Sequence, residues 1–534
     1  MITCVSMEVN VFKKSLSRVV ARIAYVYPST YKAMISGLSP DIVYGMLNEN
    51  DEVYVERFSC SKLNGVEETP RSLETGSLLK DFPLILTSIH YEPDIVNLAR
   101  LLISSGIEVL AKNREKHIVV AGGPACMNNP IPYSDVVDAC IIGEAEVTLD
   151  KVVEKWVEYG DVKKKFLEEL ASLNYVYAPG ITSGPVYRVY VEDLDKSYYP
   201  LRQVENTEIE PVYGRGFKLE VSRGCPFWCS FCMETRLFQP YRERSLSELK
   251  RILEKGLRYS LGGNRLVVFS LAFPVTRTHY DILEYLRGEG YKASIPSLRI
   301  TPYLEKSLET IKSLGQRTLT IAPESFSPVI QQFTLKYVGL LDYVTQALEE
   351  FLVKGFDLKL YLIYGFRGFL DLEYSANLNY LMKLIKLAKS LKRKISLSIN
   401  PLIPKPHTPF QWVGMLPRDI LMASLRQYKS ALKELVETRA YDVDWAIVQA
   451  QIALSPSPLG AFIDLWARFG GGLAGWRRAT RVLGVNYKYV FTGYDLDSEL
   501  PWGFIKLGSY CEKVNRSQFS VYERLPRSLD HGSK

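Results

Sequence analysis

Short runs rich in β-branched residues recur from the start of the chain: "RIAYVYP" (22–28), "EVYVER" (52–57), "LILTSI" (84–89), "HIVVAGG" (117–123) and "ACIIGEAE" (139–146). Segments of helix length separate them, a pattern that predicts a parallel sheet covered on both faces. Residues 1–160 are therefore expected to form a doubly wound, Rossmann-like α/β domain. Residues 161–216 contain "YAPGITSGPVYRVYVEDLDKSYYP", which interrupts the alternation and is too apolar to stay solvated, so a strand-containing connector is expected there. The alternation returns with "FKLEVS" (217–222), "RLVVFS" (265–270), "KASIPS" (292–297), "RTLTIA" (317–322), "LKLYLI" (358–363) and "KISLSIN" (394–400). Helical patterns such as "LSELKRILEKGLR" lie between these runs. Six β/α units over 217–412 predict a partial (β/α)6 barrel whose site lies at the strand C-terminal ends. Residues 413–534 are expected to form a small α+β cap over the barrel mouth. Within it "RDILMASLRQYKSALKELVE" (418–437) reads as a helix and "FGGGLAGW" (469–476) as a turn.

Composition narrows the class. At 47% hydrophobic and 23% charged residues over 534 positions, the chain is an ordinary globular protein too long for one core. The net charge of +7 is spread in short runs, as on solvated faces, and no concentrated basic stripe marks a nucleic-acid-binding domain. The longest apolar runs fall short of the roughly 18 residues of a membrane helix. The N-terminus lacks an apolar stretch with a small-residue cleavage site, so a cytoplasmic location is expected, peripheral at a membrane if the substrate is a lipid.

Five of the eight cysteines (Cys4, Cys60, Cys126, Cys140, Cys511) are scattered singly, as in a reducing compartment. The other three crowd into "SRGCPFWCSFCMETR" (222–236), just after the first barrel strand. Gly224 and Pro226 predict a loop that folds back and converges its thiols. Structural zinc takes four Cys or His ligands, and neither residue occurs within 40 positions on either side. An iron–sulfur cubane held by three thiolates would leave one iron open to a small molecule.

"CPFWCSFC" resembles the CxxxCxxC signature of the radical S-adenosylmethionine (radical SAM) superfamily. The resemblance implies that Cys225, Cys229 and Cys232 ligate a [4Fe-4S] cluster and that S-adenosylmethionine chelates the open iron. Electron transfer from a donor such as ferredoxin or flavodoxin then yields a 5′-deoxyadenosyl radical, which abstracts hydrogen from an unreactive C–H bond. By the same resemblance Phe231 contacts the adenine, and Thr320 and Glu324 in "TIAPES" hold the ribose and methionine ends of the cofactor. Glu324 also reads simply as a first-turn acid favoured by a helix dipole. Arg299 either pairs with the cofactor carboxylate or bonds the next turn. Gly365 occupies the place of a backbone contact to adenine, although the usual "GLPxE" pattern is absent.

"YPSTYKAMISGLSPDIVYGMLNE", "ASIPSLR", "LPWGFIKLG" and "INPLIPKPHTPFQW" extend the resemblance to a subgroup with an N-terminal cobalamin-binding-like domain. No histidine stands in the DxHxxG pattern of an axial ligand. Cobalamin, if bound, is held without one, and Gly122, Gly123 and Gly143 would line the corrin and its tail; tight turns alone also explain these glycines. Relatives in that subgroup include methyltransferases, ring-forming enzymes and enzymes that build cyclopentane rings into archaeal tetraether lipids. An aromatic content of 12%, with Phe269, Phe273, Phe366 and Phe369 near strand ends, favours an apolar substrate such as a membrane lipid. Low Gln with abundant Lys, Glu and Tyr resembles thermophile composition and suits an archaeal source. The alternatives are methylation or methylthiolation of RNA or protein, and a non-catalytic iron–sulfur module with a distant fourth ligand such as Cys511.

Overall fold

In the computed structural model, which describes residues 7–525, the chain opens with a six-stranded sheet. Strands β1 (Ala21–Thr30), β2 (Val53–Cys60), β3 (Leu84–Ser88), β4 (Ile118–Gly122) and β5 (Ala139–Ile141) run parallel, and β6 (Val176–Tyr177) closes the edge antiparallel, in the order β2-β1-β3-β4-β5-β6. Alternate strand residues feed two cores. Ile23, Tyr25, Leu84, Leu86, Ile118 and Val120 pack with Val43 and Leu47 of α1 (Ser39–Glu49). Ala24, Val26, Ile85, Val119 and Ala121 turn to the other face, against Ile95, Leu98 and Leu102 of α2 (Asp94–Ser104) and Cys126 of α3 (Pro124–Asn128). The doubly wound reading holds because every buried strand has an apolar partner on each side. Strand order reverses between β1 and β3, and the crevice at their carboxyl ends is where such sheets bind ligands.

The second sheet system bends into an open barrel. Its strands are β7 (Phe217–Glu220), β8 (Arg265–Phe269), β9 (Lys292–Ser294), β10 (Thr318–Glu324), β11 (Asp357–Tyr364), β12 (Ile395–Pro401) and β13 (Glu437–Ala440). They form a parallel three-stranded sheet, β7-β8-β9, and a parallel four-stranded sheet, β10-β11-β12-β13. Single parallel bridges at Phe273–Leu298 and Leu298–Ile321 join the two. The six expected strands are present, and β13 is an addition. The helix expected over 418–437 ends at Leu432, and its last residues turn at Glu434, in left-handed conformation (φ 63°), to enter β13. The expected glycine turn is shorter than its sequence: Gly470 and Gly471 make it, and Gly472 already begins a helix.

Barrel helices follow their strands: α4 (Met233–Leu237), α5 (Leu246–Gly256), α6 (Pro328–Thr334), α7 (Leu341–Val353), α8 (Leu370–Ser390) and α9 (Arg418–Leu432). Leu319, Ile321, Leu358, Leu360, Leu362, Leu397 and Ile399 are buried in one core with Val344 and Phe351 of α7 and Leu381 and Leu384 of α8. The alternate positions, Thr320, Lys359, Tyr361, Ser396, Ser398 and Asn400, are only half-buried and line the lumen. After the barrel, α10 (Gly460–Arg468) packs on α2 of the first domain, and α11 (Gly472–Leu483) follows it. The final helix, α12 (Ser509–Arg524), returns to the barrel and sets Phe519 and Tyr522 into a cluster with Phe333, Phe366, Phe369, Phe410 and Trp412. Among the described residues, no helix is long and apolar enough to cross a membrane.

Candidate active site

The cysteine loop begins one residue after Gly224, whose φ of +78° and close approach to the Phe238 carbonyl leave no room for a side chain: a Cβ would lie 2.3 Å from that oxygen. Three groups of hydrogen bonds then fix the loop. Gln239 Nε2 donates to the Cys225 carbonyl (2.7 Å); Ser230 donates from its amide to Thr334 O (2.9 Å) and from Oγ to Phe333 O (2.5 Å). Arg236 Nη1, one turn beyond the last cysteine, donates to the carbonyls of Cys229 (2.5 Å) and Cys232 (2.9 Å). All three thiols are free, with Cys229 buried and Cys225 and Cys232 half-buried. Burial pushes the Cys225 thiol up and that of Cys232 up to about 11, and Cys229 adds to both, so it lies near each of the other two.

No group of three His, Cys, Asp or Glu among the described residues is close enough to hold a single metal ion. A cubane fits this donor set better, because it spreads its thiolates over separate irons. The loop also provides cations and an aromatic shield. Arg299 Nη1 lies 4.0 Å from Cys229 Sγ, with its guanidinium over the rings of Phe227 (3.5 Å) and Tyr337 (4.7 Å). Lys336 Nζ stands 5.8 Å from the Phe231 ring and 2.8 Å from Glu324 Oε1.

The remaining expected residues divide. Glu324, at the end of β10, is buried and adopts φ +65°. Leu335 and Tyr337, on either side of Lys336, are also left-handed (φ 53° and 59°), so three costly backbone conformations support one ion pair, as at functional sites. Thr320 is half-buried on the lumen face, level with Lys359 and Ser396 of the next two strands. Phe231 is half-buried against the α12 aromatic cluster. Gly365 has φ +90°, and its amide donates to Glu373 Oε2 (2.9 Å). Glu373 also accepts from the Phe366 amide (3.2 Å) and the Tyr428 hydroxyl (3.2 Å), and burial pushes its carboxyl up to about 8. The motif "GLPxE" is missing, but an acid eight positions after Gly365 braces this turn from within.

The three glycines expected to line a corrin are arranged differently. A Cβ on Gly143 would lie 2.6 Å from Val189 Cγ2 and 2.8 Å from its carbonyl. One on Gly123 would lie 2.7 Å from Ile89 O, whereas Gly122 has open space. Gly123 and Gly143 are thus filled by the protein itself. Gly123 starts α3, which packs against α4, the helix that follows the cysteines. Next to Gly143, Glu144 holds Arg223 (2.7 Å) and Arg242 (2.7 Å), and Glu146 holds Arg223 (2.7 Å). Burial pushes the Glu144 carboxyl up, but the Arg223 and Arg242 guanidiniums outweigh it and hold it below the ordinary value. The Gly143 loop therefore clamps the start of the cysteine loop, the Gly123 loop packs beside the helix that follows it, and of the three glycines only Gly122 has open space beside it.

Other residues at the mouth were not apparent in sequence. At the crevice between β1 and β3, the Tyr27 and His90 rings lie 5.7 Å apart, and His90 Nε2 is 3.1 Å from Ser39 Oγ. Asp94, pushed up to about 7 by burial, lies beside them. The Tyr91 hydroxyl meets that of Tyr441, just beyond β13, and Lys405 pairs with Glu92, so the crevice opens against the barrel. The strand end "LTSIHYEPD" was the available signal, but its strand order, and hence the crevice, is not local information. Cys511 is buried beside Arg236 and Arg188.

Two family models match the chain: that of radical SAM proteins, N-terminal, over residues 39–179, and that of the radical SAM superfamily over 219–381. Together they span more than half of it, and the chain belongs to the radical SAM superfamily. It is 29% identical over 452 residues to an uncharacterized protein of Methanocaldococcus jannaschii, covering 84% of this chain and 91% of that one. It is 26% identical over 257 residues to an uncharacterized methyltransferase of Pyrococcus horikoshii, covering 46% of this chain and 54% of that protein. Among solved structures, Streptococcus suis SuiB bound to S-adenosylmethionine aligns at 12% identity and a TM-score of 0.30, covering 43% of this chain and 51% of SuiB.

Proposed function

We propose that this protein is a radical SAM enzyme acting on a C–H bond of a polar substrate held between the barrel lumen and the crevice of the first domain. The observation that carries the reading is the loop after β7, where three free thiols within eight positions stand on a backbone whose carbonyls are fixed. Cys225, Cys229 and Cys232 would hold a [4Fe-4S] cluster, with Arg299, Glu324, Thr320 and the Gly365 turn toward S-adenosylmethionine. When bound, the cluster and S-adenosylmethionine together supply one-electron cleavage of the cofactor to a hydrogen-abstracting radical, with the electron drawn from a ferredoxin- or flavodoxin-type donor. The chain's own residues hold and orient: Lys336 pairs with Glu324 and aims it, and Phe227, Trp228 and Phe231 keep water from the thiols.

The preference for a polar substrate comes from the lumen. Three of the four phenylalanines behind the lipid expectation, Phe273, Phe366 and Phe369, are fully buried in the core and do not reach it. What lines it is Thr320, Lys359, Tyr361, Ser396, Ser398 and Asn400. No corrin enters this reading, since protein fills the positions of Gly123 and Gly143. The relationship to the methyltransferase named above favours a second reading, transfer of a methyl group.

Anaerobic reconstitution with iron and sulfide, followed by S-adenosylmethionine and dithionite, separates these readings. 5′-Deoxyadenosine formation in the wild type but not in Cys225→Ala is the expected result. S-adenosylhomocysteine as the main product would favour methyl transfer, and neither product above the variant's background would end the enzymatic reading.

A further inference from the structure

Seven arginines of the described chain are buried. Arg57, Arg100, Arg114, Arg242 and Arg244 each form an ion pair with an equally buried carboxylate. Arg236 and Arg188 do not. Arg236 is fully buried, and its partners are all neutral: the carbonyls of Cys229 and Cys232, Gln518 Oε1 (2.6 Å), Asn515 Oδ1 (3.2 Å) and the Trp228 ring (5.5 Å). Arg188 donates one N–H to the Gln239 carbonyl and leaves Nε and Nη1 without a partner. Gln239 is also the residue that holds the Cys225 carbonyl. Arg236 thus bonds the cysteine loop directly, and Arg188, whose surroundings include the Glu144 carboxylate without an ion pair, reaches it through Gln239.

A buried guanidinium without a counter-charge is strongly unfavourable. Arg236 bonds the carbonyls of Cys229 and Cys232, and the groups around it able to carry negative charge are the thiols of those two residues and of Cys511. Three thiolates on a [4Fe-4S] core give a net anion, and each electron added makes it more negative. We propose that Arg236, supported by Arg188, is the built-in counter-charge of the cluster, and that Asn515 and Gln518 of α12 are positioning residues that aim it. The inference rests on the functional reading above, since it requires a cluster at the three cysteines. Gln518 also donates to the Trp228 carbonyl (2.7 Å) and Asn515 to the His407 carbonyl (2.5 Å), so α12 is tied both to the loop and to the segment leaving β12. A cation held there favours the reduced over the oxidised cluster and the loaded over the empty site.

The test compares full-length wild type, Arg236→Met, Arg236→Lys, Arg188→Met and Gln518→Ala, before and after reconstitution. The readouts are iron per chain, midpoint potential by EPR-monitored titration, and melting temperature. Arg236→Met is expected to shift the potential to more negative values and to lose iron to a chelator several-fold faster, with Arg236→Lys staying near wild type in potential. Arg236→Met removes four hydrogen bonds together with the charge, so the informative quantity is the gain on loading, which should raise its melting temperature less than that of wild type. If Arg236→Met does not fold, Arg188→Met and Gln518→Ala carry the test with shifts of the same sign. Equal potentials in the loaded wild type and the variants that fold would overturn the inference. A wild type that takes up no iron would instead overturn the functional reading beneath it.

Discussion

The cysteine loop after β7 and the glycine loops after β4 and β5 share one topology: each leaves a parallel strand at its carboxyl end, where α/β folds place ligands. The cysteine loop is held through its backbone. Arg236, Gln239 and Gln518 take its carbonyls, and the three thiols are left without a covalent partner. The glycine loops have their interior filled, Gly123 by the Ile89 backbone and Gly143 by Val189, and the second turns Glu144 and Glu146 to Arg223 at the start of the cysteine loop. Position at a strand end is therefore common to both, and what occupies the space beside it separates a site from a scaffold.

The largest expected effect breaks the site side of this contrast. Cys229→Ala or Cys232→Ala should abolish 5′-deoxyadenosine formation in the reconstituted enzyme while leaving the far-ultraviolet circular dichroism unchanged. The scaffold side is next. Glu144→Gln leaves Arg223 and Arg242 buried with their shared carboxylate gone, at a cost of about 3–5 kcal/mol in unfolding free energy by denaturant titration. The native clamp has its own acid limit. Because Glu144 and Glu220, the latter paired with Arg223 (2.9 Å) and Arg244 (3.0 Å), titrate below the ordinary glutamate value when folded, the stability they add is present above that value and lost as pH falls through their lowered ones. Melting temperature measured from pH 6 down to pH 3 should show this loss, and Glu144→Gln should flatten it.

A paired substitution sharpens the glycine loops. Gly143→Ala forces a methyl against Val189 and should cost about 1–3 kcal/mol, whereas Gly122→Ala meets open space and should change stability by no more than about 0.5 kcal/mol. The smallest effect tests the Gly365 turn, which lies between the two types. Glu373 titrates near 8 when folded and near 4.5 when free, so its contribution is complete below the lower value and lost as pH rises through the upper one. Glu373→Gln should keep an acceptor for the Gly365 and Phe366 amides and show a shallower fall in melting temperature between pH 5 and pH 9.

Reading along the chain goes far where the information is local. Period-two apolar runs placed all six expected barrel strands, and thiol spacing together with Gly224 placed the loop. It fails where the deciding partner is distant. β13, "ETRA", is half-exposed at a sheet edge and follows a helical period, so only pairing with β12 makes it a strand. Phe366 and Phe369 look like lumen residues by position, but α12, which comes long after them in the chain, draws them into its own cluster. The same helix supplies Gln518 to Arg236 across 282 positions, a relation no local pattern contains. Glycines at strand ends report backbone freedom, and what fills the space beside them is settled by Ile89 and Val189 elsewhere in the chain.

The distance between Arg236 and α12 also imposes an order on assembly. During synthesis the three thiols and the guanidinium leave the ribosome long before Asn515 and Gln518 exist to cover them. Until that last helix docks, the loop lacks two of the hydrogen bonds that aim its cation and one of those that hold its backbone.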